Sequence, residues 1–280
     1  MAAASTYVSV LSIAGSDSGA GAGIQADLKT FSALGCYGTT AITAVTCQNT
    51  LGVTDIYPIP ANIVYKQIRA VLEDIKPSVV KIGMIPYADV ALAIVSALKA
   101  YPSLKIIVDP VMISSSGRAL MEENTVQVLI ESLFPIATLV TPNLAEAGFL
   151  TKKTIANLAE MQEAARNMLK FKSEAVLVKG GHLSGSELFD VMVDQSGKEE
   201  IFTTTHIESN NTHGTGCTLS SAIAAYLALG YELIPAIKKA KLFVHKAIQE
   251  GADVKTGAGT GPLNHFFAPE RLVQINLKQH

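Results

Sequence analysis

The stretch "YVSVLSIAGSDSGAGAGIQADLKTFSAL", Tyr7 to Leu34, decides how the rest of the chain is read. Its first seven residues, 7–13, form a short β-branched run that reads as a buried strand, and 24–34 place apolar residues three and four apart, as a helix does. Between them lies "AGSDSGAGAG", a glycine-rich loop at a strand end and a helix start. Gly21-x-Gly23-x-x-Ala26 fits a loose dinucleotide fingerprint, which also requires an acid at the end of the second strand. Here that strand ends in Cys47, Gln48 and Asn49, which argues against a nicotinamide dehydrogenase. The glycines instead let backbone approach a compact ligand. Asp27 then reads either as a polar contact one helical step inside or as a solvated first-turn acid favoured by the helix dipole.

The same alternation continues along the chain. Strand-like runs occur at 41–47, 78–82, 105–108, 137–141 and 175–179, and helical patterns at 61–75 and 157–171. This order predicts βαβ crossovers and an α/β fold with a mostly parallel sheet covered on both faces. Ligands then belong outside the carboxyl ends of the strands, and polar or glycine-rich segments do follow each one: "QNT", "GM", "DPVM", "PNLAE" and "GGH". Residues 188–207 read differently, as an antiparallel hairpin turned at Ser196-Gly197.

With 280 residues, 49% of them hydrophobic, the chain can bury a large core, and no linker, repeat or charge block divides it, so residues 1–280 are expected to form one domain. Lys and Arg number 22 against 24 Asp and Glu, for a net charge of −2 without a basic stripe, so no nucleic-acid partner is expected. Cys36, Cys47 and Cys217 form no CxxC pair and suggest neither a disulfide framework nor a zinc site. "MAAASTY" lacks the features of a signal peptide and no apolar run is long enough for a membrane span, so a cytoplasmic protein acting on small molecules is expected.

"NNTHGTGCTLSSA", 210–222, carries the chemistry. Gly214 and Gly216 permit conformations that aim successive N–H groups at one point, and a helix beginning near Cys217 adds its positive end, making an anion hole. In isolation the segment is also a plain glycine turn capped by Thr212 or Thr215. Asp109 at a strand end and Glu146 at a helix start offer oxygen ligands suited to Mg²⁺, and Lys179 at another strand end can neutralise a phosphate. Each is more often structural by itself; together they are the parts of phosphoryl transfer. His213 reads as holding its tight turn, and "GSDSG" is no G-x-S-x-G elbow, so a hydrolase gains nothing.

The segments 13–50, "KIGMI", "DPVM", "TPNLAEA", "LVKGGH", "THGTGCTLS" and "GPLNHF" resemble, in order from Val8 to Phe267, the hydroxymethylpyrimidine and hydroxymethylpyrimidine phosphate kinases of thiamine biosynthesis, in the ribokinase superfamily. The resemblance implies a ribokinase-like three-layer α/β/α sandwich, a homodimer, and transfer of the γ-phosphoryl of ATP, with Mg²⁺, to the hydroxymethyl group and then to the resulting phosphomonoester. It assigns Gly15, Ala22, Asp27, Gln48, Met84 and Val111 to the pyrimidine and Asp109 and Glu146 to the metal. Lys179, Asn143, Thr212, Gly214 and Gly216 go to ATP, and Gly214, Thr215, Gly216, Cys217 and Lys179 to catalysis. Cys217 stands where other superfamily members carry a catalytic aspartate. The family often carries His where Thr260 stands and Ala where Cys47 stands; the second difference reads as packing.

The Gln48 amide has both a donor and an acceptor for an aminopyrimidine edge, and relatives acting as pyridoxal kinases tend to lack it. Pyridoxal kinase activity is the alternative within kinases; a pyrimidine-binding sensor is the alternative outside them. A cysteine at position 217 suits a second transfer: a phosphomonoester is already largely dianionic near neutral pH and needs no base. An aspartate there would repel it by roughly 4 kcal/mol at about 4 Å. The helix start is expected to lower the Cys217 thiol from about 8.5, making some thiolate available for the alcohol step.

Overall fold

In the computed structural model, residues 5–113, 120–181 and 187–276 are described. In chain order the elements are β1 (Ser5–Tyr7), β2 (Ser9–Asp17), α1 (Gly23–Ala33), β3 (Tyr37–Asn49), β4 (Gly52–Pro58), α2 (Ala61–Asp74), β5 (Val79–Ile82), α3 (Ala88–Leu98) and β6 (Lys105–Val108). They continue with α4 (Glu123–Val128), β7 (Leu139–Val140), α5 (Leu144–Thr151), α6 (Leu158–Met168), β8 (Ala175–Lys179), β9 (Glu187–Asp194), β10 (Glu199–Thr205), α7 (Thr215–Ala228), α8 (Leu233–Gln249) and β11 (Gln274–Asn276).

The main sheet runs β10-β9-β8-β7-β6-β5-β2-β3-β4. From β8 to β3 all pairings are parallel, and β4, β9 and β10 are antiparallel additions at the edges. The expected alternation of strands and helices therefore holds, as does the hairpin, whose turn uses Gly197 at φ 83°. The antiparallel strand β4 and the small β1–β11 pair lie outside the periodicity read from sequence.

Side-chain alternation along β2 shows why both faces are covered. Leu11 and Ile13 enter a core shared with α2, α3 and α6, whereas Val8 and Val10 enter a second core shared with α1, α7 and α8. The result is a three-layer α/β/α sandwich, and Phe31 and Phe134, both fully buried, sit in the opposite layers. Burying such a side chain stabilises by about 2–3 kcal/mol. Because β3 lies on one side of β2 and β5 on the other, the chain reverses direction across the sheet at β2, and the carboxyl ends of β2 and β5 flank the crevice created there.

Candidate active site

At that crevice lies an open cleft. Of the residues expected there, it is lined by Gly15, Ala22, Gln48, Met84, Asp109, Val111, Asn143, Glu146, Lys179, Gly214, Gly216 and Cys217. They come from six strand ends and the start of α7, as the parallel topology requires.

Three expected residues are not brought to the cleft wall. Asp27, expected as a substrate contact, is fully buried on α1, and its carboxylate is saturated: it accepts from Ser12 Oγ (2.5 Å), Ser221 Oγ (2.6 Å) and Lys81 Nζ (2.8 and 2.9 Å). The reason is strand parity, since Ser12 and Lys81 point from β2 and β5 toward the layer holding α1 and α7. Thr212 and Thr215 engage each other instead, Thr215 Oγ1 donating to Thr212 O at 2.7 Å. Neither threonine caps the helix; α7 begins at Thr215 with Gly214 as its cap residue, at φ 85°. A Cβ on Gly214 would lie 1.8 Å from Gly21 O, so only glycine lets the two loops touch backbone to backbone. Thr215 N–H bonds Thr212 O at 3.3 Å. The N–H groups of Gly216 and Cys217 lie in the first turn of α7, where a helix start leaves N–H groups without intrahelical acceptors and able to bond an anion.

The charged wall is tightly paired. Lys179 Nζ lies 2.6 Å from Asp109 Oδ1, which also accepts from Thr141 Oγ1 at 3.2 Å, while Ser220 Oγ donates to Asp109 Oδ2 at 3.3 Å. Burial pushes Asp109 up, but Lys179 and Lys81 outweigh it and hold the carboxyl below its usual range. Glu146 closes a capping box on α5, its Oε2 accepting from Asn143 N at 2.8 Å while Asn143 Oδ1 accepts from Glu146 N at 2.9 Å. Burial lifts Glu146 to about 7, against the pull of Lys179. Among the described residues no cluster of three acidic, His or Cys side chains forms a protein cage for a metal. Two carboxylates on one wall fit Mg²⁺ carried mainly by phosphate oxygens and water.

The Cys217 thiol departs from expectation. Burial drives it up to about 11, with Asp27 and Asp109 adding to the rise, and the lowering by Lys81 and by a Gly23 backbone contact does not compensate. The helix start therefore does not supply thiolate; at neutral pH the cleft floor carries an uncharged sulfur. Cys47, expected to pack, is exposed on β3. Thr260, in the tail, donates its N–H to Thr50 O at 3.1 Å.

Sequence reading missed Asp17 and Lys81, both of which line the cleft. Asp17 folds the glycine loop around itself: Oδ1 accepts from Gly19 N at 2.8 Å, and Oδ2 from Gly21 N at 3.0 Å and Ala22 N at 2.8 Å. Burial pushes Asp17 up, but the His213 hydrogen bond and the N–H groups of Ala22 and Gly19 hold it below its usual range. His213 was expected to hold its own turn; its Nε2 instead lies 3.1 Å from Asp17 Oδ2 and 3.1 Å from the Gln48 side-chain amide, tying that turn to the glycine loop and to β3. An acid opening a Gly/Ser loop is a known turn anchor, and a lysine inside a buried strand demands a partner; either signal was available in the sequence.

The comparisons with known proteins agree with this geometry. Residues 17–264 match the phosphomethylpyrimidine kinase family. The hydroxymethylpyrimidine/phosphomethylpyrimidine kinase of Rhizobium meliloti (strain 1021) is 49% identical over 257 residues, covering 91% of this chain and 96% of the relative. The crystal structure of phosphomethylpyrimidine kinase from Clostridium difficile 630 superimposes with a TM-score of 0.76 at 44% identity, covering 86% of this chain and 99% of that one. Pyridoxal kinase from Staphylococcus aureus in complex with AMP-PCP and pyridoxal gives a TM-score of 0.84 at 34% identity, over 93% and 94% of the two chains. Against bifunctional thiamine-biosynthesis relatives, the chain spans about half of their length. A cleft with an amide-lined end, a paired Lys–Asp wall and a glycine-led helix start, in a chain matched over most of its length, leads to one assignment: the protein belongs to the phosphomethylpyrimidine kinase family and is a phosphotransferase.

Proposed function

We propose that the protein transfers the γ-phosphoryl group of ATP to the hydroxymethyl group of hydroxymethylpyrimidine and then to the phosphomonoester so formed, giving the diphosphate. The observation that carries this reading is that one cleft holds Gln48, a donor–acceptor amide suited to an aminopyrimidine, together with Gly214, Gly216, Cys217 and Lys179. Lys179 and the first-turn N–H groups of α7 hold the transferring phosphoryl in place, and Met84, Val111 and Ala22 supply apolar walls for the ring. Asp109 and Glu146 are the residues that would hold Mg²⁺, whose chemistry would be neutralisation of charge on the phosphate oxygens.

The uncharged thiol at Cys217 suits both acceptors. It places no negative charge beside the incoming phosphomonoester, which is already largely dianionic near neutral pH. For the alcohol, a loose transition state makes positioning and electrostatics the main contributions, so proton removal is not the step that the cleft must drive.

The test is incubation with Mg-ATP and hydroxymethylpyrimidine, followed by phosphorus NMR. The diphosphate should accumulate after the monophosphate; a product that stops at the monophosphate removes the second step. Pyridoxal phosphorylation is a second reading, supported by the fit to the Staphylococcus aureus enzyme, and a kcat/KM for pyridoxal above that for the pyrimidine would favour it. We further propose a cytoplasmic homodimer. Among the described residues no helix is long and apolar enough to cross a membrane, and Val45, Leu51 and Tyr57 expose apolar surface along the β3–β4 edge, which suits a second copy.

A further inference from the structure

We infer that Asp17 and His213 are positioning residues that fix which end of the Gln48 amide faces His213, and so fix the direction in which the cleft reads a ring edge. This rests on the pyrimidine reading above and deepens it.

Heavy-atom positions alone do not separate an amide oxygen from its nitrogen; the hydrogen-bond partners do. Asp17 accepts three backbone N–H bonds, so its carboxylate oxygens are acceptors only. His213 Nε2, 3.1 Å from Asp17 Oδ2, must then carry a hydrogen, whatever the state of the other ring nitrogen. The structure sets the Gln48 amide nitrogen 3.1 Å from the same Nε2, which would oppose two N–H donors; the partners therefore require the amide turned end for end, with its oxygen there sharing the Nε2 hydrogen with Asp17 Oδ2. The other end of the amide gives the same answer independently. Thr46 has one hydroxyl hydrogen, and Ser16 O takes it at 2.9 Å. The structure sets the Gln48 amide oxygen 3.2 Å from Thr46 Oγ1, but with the hydroxyl hydrogen committed to Ser16 O the turned amide, donating its N–H there, is the arrangement that satisfies both groups. Both ends agree on a single orientation, with oxygen toward His213 and nitrogen toward Thr46.

The surroundings hold this arrangement. Ser18 Oγ accepts from Gln48 N at 2.8 Å and donates to Gln48 O at 2.7 Å, tying the Gln48 backbone to the glycine loop. A Cβ at Gly21 would lie 2.2 Å from His213 Cδ2, so the ring fits only over a glycine.

An amide committed at both ends keeps one carbonyl lone pair and one N–H along its outer edge. The acceptor lies at the His213 end and the donor at the Thr46 end. A 4-aminopyrimidine presents its amino group beside a ring nitrogen, and the 5-hydroxymethyl group is attached next to the amino-bearing carbon. Pairing the amino group with the acceptor end brings the hydroxymethyl group to the His213 side, where the chain runs directly into Gly214–Cys217. An amide turned the other way would pair with the same ring edge only after the ring had turned over, and the hydroxymethyl group would point away.

The test compares kcat/KM for the 4-aminopyrimidine substrate with that for its 4-oxo counterpart, whose donor and acceptor are exchanged. In the wild type the ratio should exceed about tenfold, the effect of one mismatched buried hydrogen bond. In His213→Phe, which keeps the ring and removes the N–H, and in Asp17→Asn, the amide is released and the ratio should fall to within about threefold. Thr46→Val deletes only a hydroxyl and reports from the opposite end if the loop variants do not melt cooperatively. A folded variant that retains the wild-type ratio overturns the positioning role. A wild type that neither binds nor phosphorylates the aminopyrimidine overturns instead the reading on which it rests.

Discussion

Lys179 Nζ and Asp109 Oδ1 are 2.6 Å apart, so the cation proposed for phosphate and the carboxylate proposed for metal neutralise each other across the cleft wall. The proposed roles draw the two partners toward different groups of a bound nucleotide. Lys179→Met should lower kcat/KM for ATP by about 10²–10³-fold, the usual cost of removing one positioned charge from a transition state. Asp109→Asn should lower it too while weakening the dependence on Mg²⁺ concentration. Steady-state kinetics over a magnesium titration separate the two effects, and equal magnesium dependence in both variants would contradict the assignment of Asp109.

Glu146, with a folded-state value of about 7 against an ordinary 4.5, gives stability a definite pH sign. Its folded form holds a proton that the unfolded chain has lost, so its contribution is fully present below about 4.5 and disappears as pH rises through about 7. The span corresponds to an effect on the order of 3 kcal/mol. Urea unfolding of wild type and Glu146→Gln at pH 5 and pH 8 should show the variant gaining on the wild type at the higher pH.

The Cys217 thiol, at about 11, should stay unreactive near neutrality. In a Cys47→Ser background, which removes the exposed thiol, alkylation should accelerate only as pH approaches that value. Cys217→Asp should reduce the second phosphoryl transfer about a hundredfold or more through charge repulsion and the first transfer much less. Equal losses in both steps would show that charge at this position is not what the cysteine avoids.

Beneath the cleft, Lys81 and Asp27 form an ion pair with both side chains fully buried. Lys81→Met leaves an uncompensated carboxylate and should cost about 3–5 kcal/mol in denaturant unfolding. Adding Asp27→Leu removes the orphaned charge and should recover much of that loss. A double variant no more stable than the single one would mean that the pair holds the layers together by more than charge.

The parallel sheet and the convergence of strand ends were legible because buried strands and amphipathic helices leave period-specific patterns, and "DPVM" and "LVKGGH" carry polar residues at those ends. Asp27 was misread because its sequence position, one helical step inside a glycine loop, says nothing about which way α1 turns that side chain; strand parity at Ser12 and Lys81 decides it. The Cys217 shift was misread because a helix end was weighed and burial was not. The antiparallel strand β4 follows a turn at Thr50 and Leu51, exposes Thr54, Asp55 and Tyr57 and fully buries none of its residues, so it lacks the one-sided apolar alternation by which strands are recognised. Asp17 and His213, 196 positions apart, meet only in three dimensions.

That separation has a consequence for biogenesis. At translation speeds of about 5–20 residues per second, the ribosome adds the histidine roughly 10–40 s after the aspartate it will meet. The glycine loop must wait through that interval for a partner nearly two hundred residues downstream, so β2, α1 and β3 can be in place well before the catalytic mouth exists. Competence to transfer phosphate is therefore a late event in the life of each new chain, reached when its distal third docks against the first loop made.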